Sequence, residues 1–298
     1  MTLRFGLVGT GQWARRTHGA SLAAHLGAEL AGVWGRDPGR AAALAEELGA
    51  PAYADADALF DAVDAVSFAV PPDVQAELAV RAAERGCHLL LDKPVAIRAE
   101  LGTALAAAVA RAGVSTVVFF TRRFVPETER WIARLSATGG WTGAHAEWVA
   151  SLPPELAAQS PWRREQGALW DIGPHVLSLL LPVLGPVSSV AAYAGPGDTT
   201  HLALRHAGGA SSTATVTLTA PPEAVGQELR FYGSAGRETA PAVRFDAAEC
   251  HAHAVDALLA AVGGVPSELD LGFGLAVGAV LTSAARSRST GGAEVRLG

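Results

Sequence analysis

Lysine is almost missing from this chain. Of its 23 basic residues only Lys93 is a lysine, and there are one methionine and two cysteines, Cys87 and Cys250. Two cysteines in 298 residues fit a reducing compartment and argue against a disulfide framework. There is no run of basic residues, and the net charge is −6, so nucleic acid is not an expected partner. The nearest approach to a basic patch is three separated pairs, Arg15-Arg16, Arg122-Arg123 and Arg163-Arg164. They suit a small anion better than a polyanion. Every long apolar run is broken by Gly, Pro or charge before the roughly 20 residues a membrane span needs. The first residues form an apolar strand-like run, with no basic stretch leading to a cleavage site. A cytoplasmic protein without a membrane or nucleic-acid partner is expected. No residue is assigned to a metal.

Half of the residues are hydrophobic and 17% are charged, so a large core can form. The length is long for one ordinary domain and comfortable for two. Up to residue 120, short apolar runs alternate with helical patterns. Strands are expected at 3–9, 29–35, 65–70, 87–92 and 115–120. Helices are expected at 12–26, 37–49, 73–86 and 98–112. Pro38 in the first turn and Gly49 at the end bound one of them. Such alternation predicts an α/β domain with a parallel sheet, whose strands lose their period of two because both faces are buried. After residue 120 the rhythm changes. A helix at 125–138 and a strand at 143–151 precede a Pro-rich stretch, 151–165, that reads as a loop. A helix at 173–184 follows, then strands at 187–194, 199–207, 210–219 and 227–233, which suggest an antiparallel sheet. Helices at 250–262 and 270–287 and a short strand at 294–297 finish the chain. The expected division is 1–120, a dinucleotide-binding α/β domain, and 121–298, an α+β domain.

Gly9-Thr10-Gly11-Gln12-Trp13-Ala14 fits G-x-G-x-x-A between the first strand and the first helix. The first glycine allows the tight turn, and the second lets a diphosphate approach the backbone at the helix N-terminus. A turn that merely needs glycine is the plainer alternative. At the end of the second strand an acid would hold the 2′-hydroxyl of NAD, whereas an arginine would receive the 2′-phosphate of NADP. Gly35 stands where the acid is expected and Arg36 follows, which favours NADP. Asp37 keeps NAD open, although it precedes Pro38 and suits a helix cap equally well.

The lone lysine lies in LLLDKPVAI, at the carboxyl end of a parallel strand, where ligands of open α/β sheets bind. Pro94 stiffens the turn behind it. Lysine can lose its proton when desolvated or set near another cation, and arginine cannot. An idle surface lysine is the alternative. In GALWDIGPHVLSLLL, Asp171 and His175 are four residues apart and share a helix face. Asp171 as a cap and His175 as a satisfied core group are the plainer readings of that pair.

Together these residues resemble the Gfo/Idh/MocA family of glucose–fructose oxidoreductase and inositol dehydrogenase. The motifs are G-x-G-x-x-A, the Asp92-Lys93-Pro94 turn, and Trp162-Arg163 followed by Gly167-Ala168-x-x-Asp171-x-Gly173-x-His175. Arg123-Phe124-x-Pro126, Gly140-Trp141-x-Gly143 and the Ser283-Ala284 helix also fall where the family has similar residues. The resemblance implies a doubly wound Rossmann domain and a C-terminal α+β domain on a large, mostly antiparallel open sheet. It implies homodimers or homotetramers through that sheet. It further implies hydride transfer between NADP or NAD and a secondary alcohol or ketone of a sugar, polyol or related cyclic substrate. Lys93, Asp171 and His175 would be the catalytic group, with either Lys93 or His175 as proton acceptor. The implied cofactor contacts are Gly9, Thr10, Gly11, Gln12, Trp13, Gly35, Arg36, Val70, Pro71, Asp92, Lys93, Pro94, Trp162 and Arg163. Departures are Asp92 for the usual Glu, Gln75 for a frequent His, Ala168 for a Gly, and Ser178 for an acid. A regulator that keeps the cofactor and has lost catalysis is the rival; it should lack at least one of the three chemical groups. A methyltransferase would also use a glycine turn, but would not need the other two motifs.

Overall fold

A computed structural model describes residues 2–153 and 161–298. The chain divides into two compact units, Met1–Phe124 with Phe245–Leu275, and Val125–Arg244 with Ala276–Gly298. Residues 245–275, expected in the second domain, therefore belong to the first unit. The physical reason is burial. The helix Ala247–Val262 hides His251, Ala254, Val255 and Leu258 completely.

The first unit holds β1 (Leu3–Val8), β2 (Ala28–Trp34), β3 (Ala65–Phe68), β4 (His88–Asp92) and β5 (Thr116–Phe119). All are parallel, in the order β2-β1-β3-β4-β5. β3 and β5 are buried at every position, which accounts for their unbroken apolar runs. Phe5, Leu7, Val33 and Leu44 are at most 1% exposed. Each contributes roughly 1.5–3 kcal/mol by leaving water. The order reverses between β1 and β3, and at such a switch point the chain ends of the strands open a crevice for ligands. Residues 9–13 leave β1 at that point.

Local signals set the helix bounds. Asp37 accepts the Arg40 N–H and Pro38 opens the helix Pro38–Leu48, which Gly49 closes at φ 69°. The helix after the glycine turn contains a π turn over Ala14–Gly19, and a five-residue helix, Ala56–Phe60, precedes β3. Neither was expected.

The second unit holds a seven-stranded sheet among the described residues. Its strands are β6 (Trp141–Val149), β7 (Val187–Ala194), β8 (Thr200–His206), β9 (Ser211–Thr217), β10 (Gly226–Gly233), β11 (Gly236–Thr239) and β12 (Val295–Arg296). Their order is β11-β10-β6-β9-β8-β7-β12. Every neighbouring pair is antiparallel except β6 and β9. β8 alternates strictly between buried and exposed, as a sheet covered on one face should. The four-residue β11 was not expected. A helix from Pro161 replaces part of the loop expected over 151–165; residues 154–160 of that stretch lie outside the described residues. Pro161–Leu184 is long and apolar enough to cross a membrane by composition, yet 78% of its apolar window is buried inside the protein. It is a core element, bent at Gly167, where φ is 69° and ψ −170°.

Candidate active site

The glycine turn is shaped by its neighbours. Gly9 has φ 131°, and a side chain there would run into the Ala69 carbonyl oxygen. Gly11 has nothing within 4 Å of where its Cβ would stand. Backbone and open space therefore meet at the start of a helix, where free N–H groups and the dipole favour a diphosphate. Gln12 is exposed beside Gly11, and Trp13 is partly buried. At the end of β2, a side chain at Gly35 would lie 2.5 Å from the Thr10 methyl group, so Thr10 closes the position expected for an acid. Arg36 is exposed. Val70 and Pro71, both partly exposed, follow the chain end of β3 and lead into the helix Pro72–Glu84.

The Asp92-Lys93-Pro94 turn leaves β4 with a cis Lys93–Pro94 peptide. Gln75, fully buried, holds it from the side. Its amide nitrogen donates to the carbonyls of Asp92 (2.9 Å), Val95 (3.1 Å) and Pro94 (3.4 Å), and its oxygen accepts the Asp92 N–H at 2.7 Å. The glutamine that departs from the family pattern is thus the clamp of the lysine turn. The Asp92 carboxylate ties this turn to the glycine-turn helix. Its Oδ2 accepts Trp13 Nε1–H at 2.8 Å, and its Oδ1 accepts the Lys93 N–H at 2.7 Å. Lys93 itself is partly buried.

His18 also reaches Asp92 Oδ2, its Nε2 lying 3.8 Å away. Trp13 and His18 are five residues apart, so in an α-helix they would diverge by roughly 140°. The wider π turn between them returns both rings to one side, with centroids 6.2 Å apart. Behind them His18 Nδ1 meets Ser67 Oγ at 2.8 Å, and Ser67 Oγ meets His251 Nε2 at 3.1 Å. Burial pushes His18 down to about 3, and burial together with the neighbouring His18 holds His251 well below the ordinary histidine range. Both are neutral at pH 7, so the His18–Asp92 contact is dipolar rather than ionic. A carboxylate beside Nε2 favours the tautomer with its proton there. His18 Nδ1 then accepts from Ser67, and Ser67 accepts from His251. No sequence motif marks these three residues.

In the second unit the helix Pro161–Asp171 continues past its bend into Gly173–Leu184. From Ala168 to Leu180 every residue is buried except Asp171 and His175. The i,i+4 spacing therefore presents these two together, as expected. Ile172 occupies the N-cap of Gly173–Leu184, so capping is not the role of Asp171. Arg163 Nε donates to Asp171 Oδ1 at 3.2 Å, and the Arg163 guanidinium lies 5.2 Å from the Trp162 ring centre. The His175 imidazole stacks on Trp148 of β6, with centroids 5.5 Å apart and planes at 27°. Ser178 is buried and donates to the His175 carbonyl at 2.8 Å.

Comparison with known proteins agrees with both halves. A family model described as "Oxidoreductase family, NAD-binding Rossmann fold" (GFO_IDH_MocA) matches residues 3–120, and the "GFO/IDH/MocA C-terminal domain" matches 132–238. D-xylose 1-dehydrogenase (NADP(+)) 2 of Haloferax volcanii is 34% identical over 57% of this chain. D-glucoside 3-dehydrogenase of Escherichia coli is 30% identical over 64% of it. The matches span only 54% and 57% of those two proteins' own lengths. Among solved structures, the WlbA dehydrogenase from Bordetella pertussis in complex with NADH and UDP-GlcNAcA superposes with a TM-score of 0.87 at 25% identity. That match covers 100% of this chain and 99% of the other. A myo-inositol dehydrogenase from Corynebacterium glutamicum gives 0.85 at 21%, with the same coverage, and so shares the fold.

Proposed function

Because the chain belongs to the Gfo/Idh/MocA oxidoreductase family, we propose that it moves a hydride between NADP and a secondary alcohol or ketone of a sugar, polyol or related cyclic substrate. The observation that carries this reading is the Asp92 carboxylate, which fastens the lysine turn to the glycine-turn helix. A cofactor seated on the glycine turn and a lysine beside the substrate need such a fixed relation. The open space over Gly11 fits a diphosphate. Val70, Pro71 and Pro94 line the strand ends, and Trp162 with Arg163 is assigned to the cofactor as well.

Bound nicotinamide supplies the hydride chemistry. The chain manages the proton. His175 is the general acid and base, since an imidazole suits neutral pH. Lys93 stabilises the developing alkoxide. Asp171, itself paired with Arg163, orients the polar groups around the reacting hydroxyl. The assignment of these three to one reaction rests on their motifs.

NADP is preferred over NAD because Thr10 closes position 35, Asp37 serves as a helix cap and Arg36 is exposed. Titration should show NADPH binding more tightly than NADH, and Arg36→Ala should remove most of the difference, about tenfold or more for a charge-assisted phosphate contact. Tighter NADH binding in the wild type would overturn the preference. A screen of polyols and keto-sugars with the preferred cofactor tests the reaction itself, and a chain that binds cofactor but turns over none of them is the regulator.

Self-association through the uncovered face of the seven-stranded sheet is part of the same reading. Tyr193 and Tyr232 lie there, 54% and 44% exposed. Large aromatics on an open sheet face mark contact surfaces. Sedimentation of the chain should give a dimer or tetramer, and a monomer at micromolar concentration would refute this point.

A further inference from the structure

We propose that Asp198 is the positioning residue of the Asp171–His175 face, a latch that fixes where this helix begins; its catalytic consequence rests on the reaction proposed above. Asp198 lies in the turn between β7 and β8, and no motif pointed to it. Its carboxylate gathers donors from two elements. Oδ2 accepts the Ala168 N–H at 2.8 Å, which is the first amide after the bend at Gly167. Oδ1 accepts Thr217 Oγ1 at 2.7 Å and Thr219 Oγ1 at 2.9 Å. The Leu218 N–H donates to both oxygens, at 3.0 and 3.2 Å. The end of β9 thus holds the carboxylate, and the carboxylate holds the helix.

Ala168 carries one of the helix-start amides that no carbonyl within the helix satisfies. A negative group supplied there from outside the helix complements both the amide and the dipole. The bend at Gly167 is shaped for this contact. A side chain at Gly167 would stand 3.3 Å from Asp198 Cβ, and its φ of 69° also favours glycine. Asp171 lies one turn beyond Ala168, and His175 a further turn on. A shift of the first turn would therefore move both functional groups together, without touching either. The hydroxyl and amide donors hold the Asp198 carboxyl below the usual carboxylate range against its desolvation. The latch is charged at working pH.

The test compares Asp198→Asn, Asp198→Ala and Thr219→Val in the full chain. Three readouts are taken: NADPH affinity, kcat and KM with a substrate from the screen, and amide hydrogen exchange over residues 168–176. Loss of hydrogen bonds to a charged acceptor should lower kcat about tenfold in Asp198→Asn and up to about a hundredfold in Asp198→Ala. NADPH affinity should stay within about twofold, and exchange over 168–176 should accelerate while β1–β5 keep their protection. Thr219 is exposed, so Thr219→Val keeps the test alive if Asp198→Ala does not fold; it should give the same pattern at about threefold. A lower melting temperature with unchanged kcat and unchanged local exchange would reduce Asp198 to a structural residue and overturn the proposal. If the wild-type chain oxidises no alcohol, the functional reading fails on its own, and the exchange measurement still decides the latch.

Discussion

Lys93→Met should lower kcat by about 10²–10⁴-fold, the range for a group that stabilises charge or transfers a proton at the reacting atom. NADPH affinity should change by no more than about threefold, because the turn that presents the residue is built from other atoms. Gln75 holds the carbonyls of Asp92 and Val95, and Asp92 accepts the Lys93 N–H. Neither contact needs the lysine side chain, and methionine fills a similar volume. Lys93→Arg separates charge from proton transfer. Arginine keeps a cation but cannot give up its proton. If Lys93 only stabilises an alkoxide, Lys93→Arg should recover part of the lost rate. If Lys93 also exchanges the proton, Lys93→Arg should be as slow as Lys93→Met. Retention of most of the wild-type kcat by Lys93→Met would sink the assignment and shift the chemistry wholly to His175. In a chain where arginine serves as almost every cation, this position is the one where the difference between the two side chains has a chemical consequence.

How much was legible in the sequence follows from the range of each interaction. The buried strands could be read because parallel sheets demand unbroken apolar runs, as at Leu89-Leu90-Leu91. Helix bounds could be read where the signal is local, as with Asp37, Pro38 and Gly49. The short Ala56–Phe60 helix and β11 escaped because four or five residues carry no period. The π turn escaped because its cause lies in Trp13 and His18 converging on Asp92, which is 79 positions from Trp13. The return of 245–275 to the first unit has the same origin. His251 meets Ser67 from 184 positions away. Within the site, the groups that present chemistry fell into motifs: the glycine turn, Lys93, and Asp171 with His175. The groups that hold them, Gln75, Asp198 and the His18–Ser67–His251 chain, act only through tertiary contacts. Gln75 left one trace, as a departure from the family pattern; Asp198 was hidden in a Gly-Pro-Gly-Asp turn.

That histidine chain carries the second large effect. Stability should fall steeply as pH is lowered from about 6.5 toward 3. In the unfolded chain each imidazole takes up a proton near 6.5. In the folded chain His18 does so only near 3, and His251 is also held far below its ordinary range. Through this window the unfolded state binds more protons, so stability rises with pH and is lost on acidification. One such group contributes a slope of about 1.4 kcal/mol per pH unit, and two contribute about 3. Between pH 6.5, where each unfolded imidazole is only half protonated, and pH 5 the loss comes to about 3 kcal/mol, a sizeable share of the 5–15 kcal/mol of a typical domain. His88 and His206, lowered by burial but less enclosed, add to the slope. Asp64 and Asp198 have depressed values, so their contribution, present above the unfolded carboxylate range, is lost only at more acid pH. The interval from 6.5 to 5 therefore isolates the imidazoles. Urea midpoints across that interval should be compared for the wild type and His251→Gln, whose amide can still donate to Ser67 but cannot titrate. The variant should lose one imidazole's share of the slope, approaching about 1.4 kcal/mol per pH unit toward pH 5. Equal slopes in the two proteins would mean that His251 does not stay neutral in the fold, and the direction assigned to the Ser67 and His18 hydrogen bonds would fall with it.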